Sequence, residues 1–330
     1  MNILVTGASG FIGSFIVEEA LARGMDVWAA VRPTSSRKYL ADPRINFIEL
    51  DLADKERLKR QLGGRRFDYV VHAAGATKCL HRDDFFKTNT LGTANLADAL
   101  AELRVPLRRF VFVSSLSVMG PVRERRPHSD ITESDTPRPD TAYGLSKLEA
   151  ERHLDSLDGF PAVTLRPTGV YGPRERDYFM MVRSIKSHTD FAVGFSPQTL
   201  TFVYVKDVVQ AVFLALERGR TGRKYFLTDG GEYSSRTFSD LIIAELGHPW
   251  VLRVKAPLWL LRLVSACGGA VGRVTGRPIA LNGDKYRIMR QRNWRCDTAP
   301  ARSELGYSPQ YGLARGVRET VRWYKDNGWI

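Results

Sequence analysis

Eight residues near the start of this chain, Thr6-Gly-Ala-Ser-Gly-Phe-Ile-Gly13, leave little freedom in what it can become. They sit between a short apolar run, Asn2 to Val5, and a stretch from Phe11 to Leu21 whose apolar residues recur at helical spacing. Strand, tight turn and helix are therefore expected in immediate succession. Gly7, Gly10 and Gly13 permit a sharp turn, close approach of backbone to an anionic group, and close packing of helix on strand. The helix N-terminus adds unpaired N–H groups and a positive dipole end at the same point, which suits a pyrophosphate. Ser9, Phe11 and Ile12 complete the turn that would face it.

The apolar pattern then repeats. Asp26 to Val31, Ile45 to Leu50, Tyr69 to Ala74, Phe110 to Val113 and Val163 to Arg166 are all too short for helices, and helical stretches at Asp54 to Leu62 and Asn89 to Leu103 lie between them. Strands apolar on both faces, alternating with helices, predict an α/β protein with a doubly wound parallel sheet of the Rossmann type. After Arg166, Gly and Pro become frequent and the elements shorter, which predicts loops and a smaller lobe for substrate. The expected division is a cofactor domain over 1–166 with a return at about 203–219. A substrate-binding lobe takes 167–202 and 220–330, with helices at Thr237 to Leu246, Pro257 to Val271 and Leu313 to Asp326.

Composition supports a globular chain: 43% of its 330 residues are hydrophobic, and no run of 18 apolar residues could cross a bilayer. The opening residues lack a basic region and read as the start of a fold, so no signal peptide is expected. Cys79, Cys267 and Cys296 are too scattered for a CxxC metal or redox pattern, which predicts a cytoplasmic protein with no metal site. A formal charge of +13 admits an anionic ligand, a nucleic acid or a membrane surface, but the basic clusters contain few aromatics for base stacking, and no nucleic acid is expected.

The second strand of such folds usually ends in an acid that binds a ribose hydroxyl, yet Val31 here is followed by Arg32. Arg32, with Arg37 or Lys38 nearby, suits a ribose 2′-phosphate, so NADP is expected ahead of NAD. Asp51 and Leu52 after the third strand would face adenine, and Ala73, Ala74 and Gly75 after the fourth would let a cofactor lie on the backbone. His72, alone, reads as structural. At the end of the fifth strand stand Ser114 and Ser115, and 28 residues beyond Ser115 come Tyr143-Gly-Leu-Ser-Lys147. Spacing of i, i+4 places Tyr143 and Lys147 on one helical face, where an ammonium would favour the phenolate and a serine hydroxyl would bind the substrate oxygen.

With these residues in this order the chain resembles the extended short-chain dehydrogenases/reductases, the NAD(P)-dependent epimerase/dehydratase group. The resemblance runs nearly end to end: TGASGFIG at 6–13, Asp51-Leu52, HAAG at 72–75, Asn89 in TNTLGT, VSSLSVMG at 113–120, YGLSK at 143–147, LRPTGVYGP at 165–173 and WRCDTAPARSELGYSP at 294–309. It implies Ser115 as the catalytic hydroxyl, Tyr143 as acid/base, Lys147 on the nicotinamide ribose, and Pro167 to Val170 along the nicotinamide. Two departures stand out: Tyr204 where many relatives carry His, and Arg32 with Pro33 and Ser35, which is similar to the dihydroflavonol-reductase and 3β-hydroxysteroid-dehydrogenase-like branch.

The leading expectation is an NADP(H)-dependent oxidoreductase acting on a carbonyl/alcohol pair, with a sugar or nucleotide-sugar epimerase/dehydratase as the alternative. A non-catalytic cofactor sensor or nucleic-acid binder on the same scaffold has no use for Ser115, Tyr143 and Lys147 together. Residues next to the strand ends or in the second lobe give candidate substrate contacts at Thr77, Lys78, Ser117, Met119, Tyr171, Arg174, Phe179 and Tyr204. A homodimer is compatible with the pattern. Finally, Pro257 to Arg277 carries Leu258, Trp259, Leu261, Leu263, Val264 and Val271 beside Arg262, Arg273 and Arg277. The expectation is a helix that buries this apolar stripe in the core or against a partner subunit, with contact to an anionic membrane surface as the alternative.

Overall fold

The computed structural model of the protein describes residues 1–275 and 283–330 and, within those, the side chains of all but 269–275. Its strands, in chain order, are β1 (Asn2–Thr6), β2 (Asp26–Val31), β3 (Asn46–Glu49), β4 (Tyr69–His72), β5 (Arg109–Val113), β6 (Ala162–Pro167), β7 (Gly169–Tyr171), β8 (Thr189–Val193), β9 (Phe202–Tyr204), β10 (Lys224–Leu227) and β11 (Leu252–Ala256). The helices are α1 (Phe11–Ala22), α2 (Lys55–Leu62), α3 (Arg82–Phe85), α4 (Gly92–Glu102), α5 (Ala142–Asp155), α6 (Asp177–Lys186), α7 (Val205–Arg218), α8 (Thr237–Glu245), α9 (Leu258–Thr275), α10 (Gly283–Arg290) and α11 (Leu313–Asp326).

Seven strands form one parallel sheet in the order β10-β6-β5-β4-β1-β2-β3. Both faces of its centre are covered, which is why these strands read as unbroken apolar runs. Ile16 and Val17 of α1 pack with Val209 and Val212 of α7 on one face. Leu58 and Leu62 of α2, Leu96 and Leu100 of α4, and Leu154 of α5 pack on the other. Strand order reverses between β1 and β4, and the C-terminal edge there is where an open α/β sheet offers a crevice.

Two regions depart from the sequence expectation. The stretch 220–330 does not belong wholly to the second lobe: β10 pairs with β6 at the sheet edge, Phe226 opposite Arg166, and Ala301, Leu305 and Tyr307 join the central core. The expected helix from Asn89 to Leu103 begins instead with a π-helical turn, Phe86–Leu91, that runs from α3 into α4. Asn89 sits buried in that turn with its amide engaged elsewhere, the kind of local demand that such turns accommodate.

The second lobe has its own core, in which Tyr171, Tyr204, Phe238, Val317 and Tyr324 are buried. Small parallel pairs β7–β9 and β8–β11 frame it. Within α9, Leu261 and Ser265 point inward, whereas Trp259, Leu260, Leu263 and Val264 are exposed. Of the stripe expected to bury in the core or against a partner subunit, Leu261 is buried, whereas Trp259, Leu263 and Val264 face outward, and Val271, Arg273 and Arg277 lie outside the described side chains or residues. No helix among the described residues is long and apolar enough to cross a membrane.

Candidate active site

The glycine turn leads from β1 into α1. Gly7 adopts φ +69°, and a Cβ there would lie 2.6 Å from the Ala74 nitrogen and 2.7 Å from Ala73, so only glycine lets this loop meet the end of β4. Gly10 caps α1 without a side chain, which leaves the first N–H groups of the helix facing outward. A cradle of bare backbone at a helix N-terminus fits a dinucleotide pyrophosphate. Ser9, Phe11, Ile12 and Gly13 surround it, and Ala73, Ala74 and Gly75 continue it along the sheet edge.

At the adenosine end, Arg32 follows β2 in a turn closed by Ser35, whose Oγ accepts the Arg32 backbone N–H at 3.1 Å. Its guanidinium is exposed and forms no hydrogen bond or ion pair among the described residues. Arg37, by contrast, stacks over Phe47 at 4.3 Å and Lys38 over Tyr39 at 5.5 Å. Asp51 accepts from the Ala53 N–H and pairs with Arg57, and the Leu52 carbonyl holds Asn95 at 2.9 Å, so this corner is fixed. His72 is fully buried between Thr6 (2.6 Å) and Thr93 (3.0 Å) and stacks on Phe112. Burial, with the charge of Lys147, pushes its pKa down to about 3, which makes it a neutral structural imidazole.

Ser115 lies just past β5 and opens a 3₁₀ turn, Leu116–Val118, by accepting the Ser117 N–H on its Oγ at 3.1 Å. The α5 N-terminus presses on that turn at Gly144, where a Cβ would lie 2.4 Å from the Ser117 carbonyl. The Ser115 hydroxyl lies near enough to the Tyr143 phenol to pull its pKa down against the effect of burial. Thr141 caps α5 through the Gly144 N–H at 3.0 Å. From α10, the Asp284 carboxylate adds a second cap, accepting from the Ala142 and Tyr143 N–H groups at 2.9 and 3.3 Å.

One turn on, Lys147 is buried and donates to the Val113 carbonyl at 2.9 Å, with Phe112 4.6 Å below its ammonium. Burial lowers its pKa to about 8 against a smaller opposing effect of Glu151. Burial also raises the pKa of Tyr143, and the bond from Ser115 only partly offsets this. Contrary to the expectation from their spacing, Lys147 is not among the groups that shift Tyr143, and the net direction is upward, toward the neutral phenol.

Underneath runs a buried network. Glu151 accepts from Ser114 at 2.5 Å and from Arg166 at 3.1 and 2.6 Å, and both charged side chains are almost entirely buried. Asn89 accepts the Ala76 N–H at 2.7 Å and donates to the Ala76 carbonyl at 3.0 Å and to Ser146 at 2.9 Å, pinning the loop after β4 to α5. Glu151 was not singled out from the sequence, although it is the next i, i+4 step after Lys147. Asp284, 141 residues from Tyr143 in the chain, had no local signal.

Of the expected substrate contacts, Thr77 and Lys78 are exposed in the loop after β4, and Ser117 lies in the turn that meets α5 at Gly144. Lys78 bridges to Asp177, which also meets Lys285 at 3.4 Å. Met119 is buried in a core cluster against Arg166. Tyr171 and Tyr204 are fully buried with rings 5.6 Å apart, and Phe179 packs on Tyr324 and Trp329. Arg174 turns to α1, where it pairs with Glu18 at 2.6 Å and lies over Phe15 and Tyr39. All five serve packing or the junction between lobes. A cleft of about 580 Å³ borders the site along α5, lined by Cys79, His81, Arg82, Phe85, Asp284 and Arg287. Phe85 meets the Tyr143 ring edge-on at 6.3 Å, which connects cleft to site. Pro167 ends β6 and Val170 lies half-buried in β7, both at the same sheet edge. No group of three or more metal-ligating side chains occurs among the described residues.

A seven-stranded Rossmann sheet with a glycine cradle at its C-terminal edge defines a nicotinamide-dependent enzyme of the extended short-chain dehydrogenase/reductase type. The model of the NAD dependent epimerase/dehydratase family matches residues 3–227, and the chain belongs to that family. A ketoreductase of Stigmatella aurantiaca, named for 4-hydroxy-2-methyl-3-oxo-4-farnesyl-3,4-dihydroquinoline-1-oxide, is 28% identical over 96% of this chain and 95% of its own. Sterol demethylase protein B of Methylococcus capsulatus is 28% identical, with 100% of both chains covered. Among solved structures, a dTDP-glucose 4,6-dehydratase from Streptomyces venezuelae with NAD bound superposes with TM-score 0.80 at 27% identity, over 100% of this chain and 98% of that one.

Proposed function

We propose that the protein catalyses net reduction of a ketone or aldehyde with NADPH, Tyr143 delivering the proton. The observation that supports this reading is that Ser115 lies just past β5, while Tyr143 and Lys147 lie one turn apart on α5, with Lys147 bonded to the Val113 carbonyl at the end of β5. The nicotinamide, when bound, supplies the hydride. Every other part falls to side chains of this chain. Gly7, Gly10 and Gly13 hold the pyrophosphate. Ser115 donates a hydrogen bond to the carbonyl oxygen and polarises it. Tyr143, a phenol rather than a phenolate at neutral pH, passes its Oη proton to that oxygen as charge develops there. Lys147, protonated below about pH 8, holds the nicotinamide ribose and helps return a proton to Tyr143. Arg32, a guanidinium after β2 with no partner among the described residues, supports NADPH over NADH.

Substrate would enter by the cleft beside Phe85 and meet Thr77, Lys78 and Ser117. The alternative, a sugar epimerase or dehydratase, uses the same three side chains and is supported by the dTDP-glucose 4,6-dehydratase likeness, whereas the ketoreductase likeness supports net reduction. Scarce cysteine favours a cytoplasmic setting. The test is purification followed by chromatography of any retained nucleotide, and a panel of aryl, alicyclic and sugar carbonyls followed at the NADPH absorbance. The reading expects no tightly retained NAD and carbonyl-dependent NADPH loss. Retained NAD with no net NADPH loss on any carbonyl would replace it by the epimerase reading.

A further inference from the structure

We propose that the outward face of α9, with Phe195 beside it, seats this protein on an anionic lipid bilayer. Helices of a globular chain bury their apolar stripe, but α9 turns Leu261 and Ser265 inward and leaves Trp259 and Leu263 68% and 56% exposed. Leu260 and Val264 share that outer side. Phe195, 66% exposed, adjoins the start of the helix: it follows Gly194, which packs against Leu258, and the Lys255 ammonium lies 5.1 Å over its ring. Large side chains gathered on one exposed face mark an interaction surface rather than scattered surface residues.

Charge selects the occupant. From Leu246 to Gly283 the sequence holds no acidic residue, while Arg253, Lys255, Arg262, Arg273 and Arg277 are basic. Arg262 is exposed on the flank of the stripe, Lys255 lies over the Phe195 ring, and neither has an ion pair among the described residues. Arg253 is already paired with Asp240 and Asp190, but a second copy docked through the same face would set Arg262 and Lys255 against their own images. Anionic headgroups supply the missing charge, and an apolar face edged with Lys and Arg is the form of a helix lying in the headgroup boundary. Since no described helix can cross a bilayer, contact is in the plane of the surface. The neighbouring helix α10 carries Asp284, which bonds the N-terminus of α5, so the bilayer would lie one helix away from Tyr143.

The experiment is co-sedimentation of the whole protein with vesicles of phosphatidylcholine containing phosphatidylglycerol, and of phosphatidylcholine alone, at low and high salt. Binding should require phosphatidylglycerol and weaken with salt, because exposed charges are screened. Trp259→Glu with Leu263→Glu should reduce the bound fraction at least about tenfold, and Arg262→Glu about fivefold or more. Should the double variant fail to fold, brominated lipid provides an independent reading: it should quench the native protein's fluorescence, and Trp259→Phe should abolish most of that quenching. No sedimentation with phosphatidylglycerol vesicles at low salt overturns the proposal. So does binding that neither set of variants weakens, or a concentration-dependent dimer that the double variant dissolves while vesicles are ignored.

Discussion

Around β5 and α5 the polar side chains are inside, and along α9 the apolar ones are outside; each region inverts the usual rule in its own direction. Near the sheet, Glu151, Arg166, Ser114, Lys147, Asn89 and His72 are buried, and each of them has hydrogen-bond partners within the chain. A buried polar group costs free energy unless it is paired, so a set this completely paired is a rigid support for whatever it surrounds, here the Ser115–Tyr143 pair. Along α9, Trp259 and Leu263 gain nothing from water, and the described residues leave them exposed. The first region is complete in itself, and the second is left without cover among the described residues.

Removing one member of the buried network tests its completeness most severely. Arg166→Met leaves the Glu151 carboxylate buried without its bidentate partner and should cost about 3–5 kcal/mol, read as a large fall in melting temperature. A shift of under a degree would mean that the pair is not desolvated as described. Lys147→Met should act in the opposite sense. The Lys147 pKa is lowered from 10.5 to about 8, so between those values the unfolded chain binds more protons and native stability rises with pH. Below pH 8 the full penalty of the buried charge applies, and Lys147→Met should raise stability there by at most about 3 kcal/mol. The advantage should shrink as pH rises toward 10.5, measured as melting temperature against pH for both proteins. An advantage that grows with pH would contradict the assigned direction.

Arg32 belongs to neither region, being charged, exposed and without a partner among the described residues. Arg32→Asp replaces a 2′-phosphate partner with a repulsive carboxylate and should move the ratio of NADPH to NADH affinity by about tenfold or more. Titration of both cofactors that leaves this ratio unchanged would make Arg32 a bystander. The smallest effect belongs to α9: Trp259→Ser in the absence of lipid should change stability by no more than about 0.5 kcal/mol, since the ring packs little in the free chain. A loss of several kcal/mol would show that Trp259 has cover within the chain.

What the sequence disclosed follows the same division. The strands, the glycine turn and the Tyr143–Lys147 pair were legible because their signals are local: a short apolar run, glycines three apart, and an i, i+4 step. Placement of β10 beside β6 was not, since a four-residue strand says nothing about which neighbour it will pair with. Tyr171 and Tyr204 were expected at the substrate because they adjoin strand ends, yet the β7–β9 register sets them opposite each other and both rings go into the second lobe's aromatic core. Adjacency to a strand end does not reveal which side of it a ring will take. The outward turn of α9 was likewise hidden, because an apolar stripe looks the same whether its partner is the core or a surface.

The central claim is that Tyr143 is the proton donor, and Tyr143→Phe tests it most directly by removing one oxygen while keeping the ring against Phe85. With a carbonyl substrate drawn from the panel, single-turnover reduction should slow by about 10²- to 10⁴-fold while NADPH affinity stays within about twofold. Undiminished turnover in that variant would contradict the account.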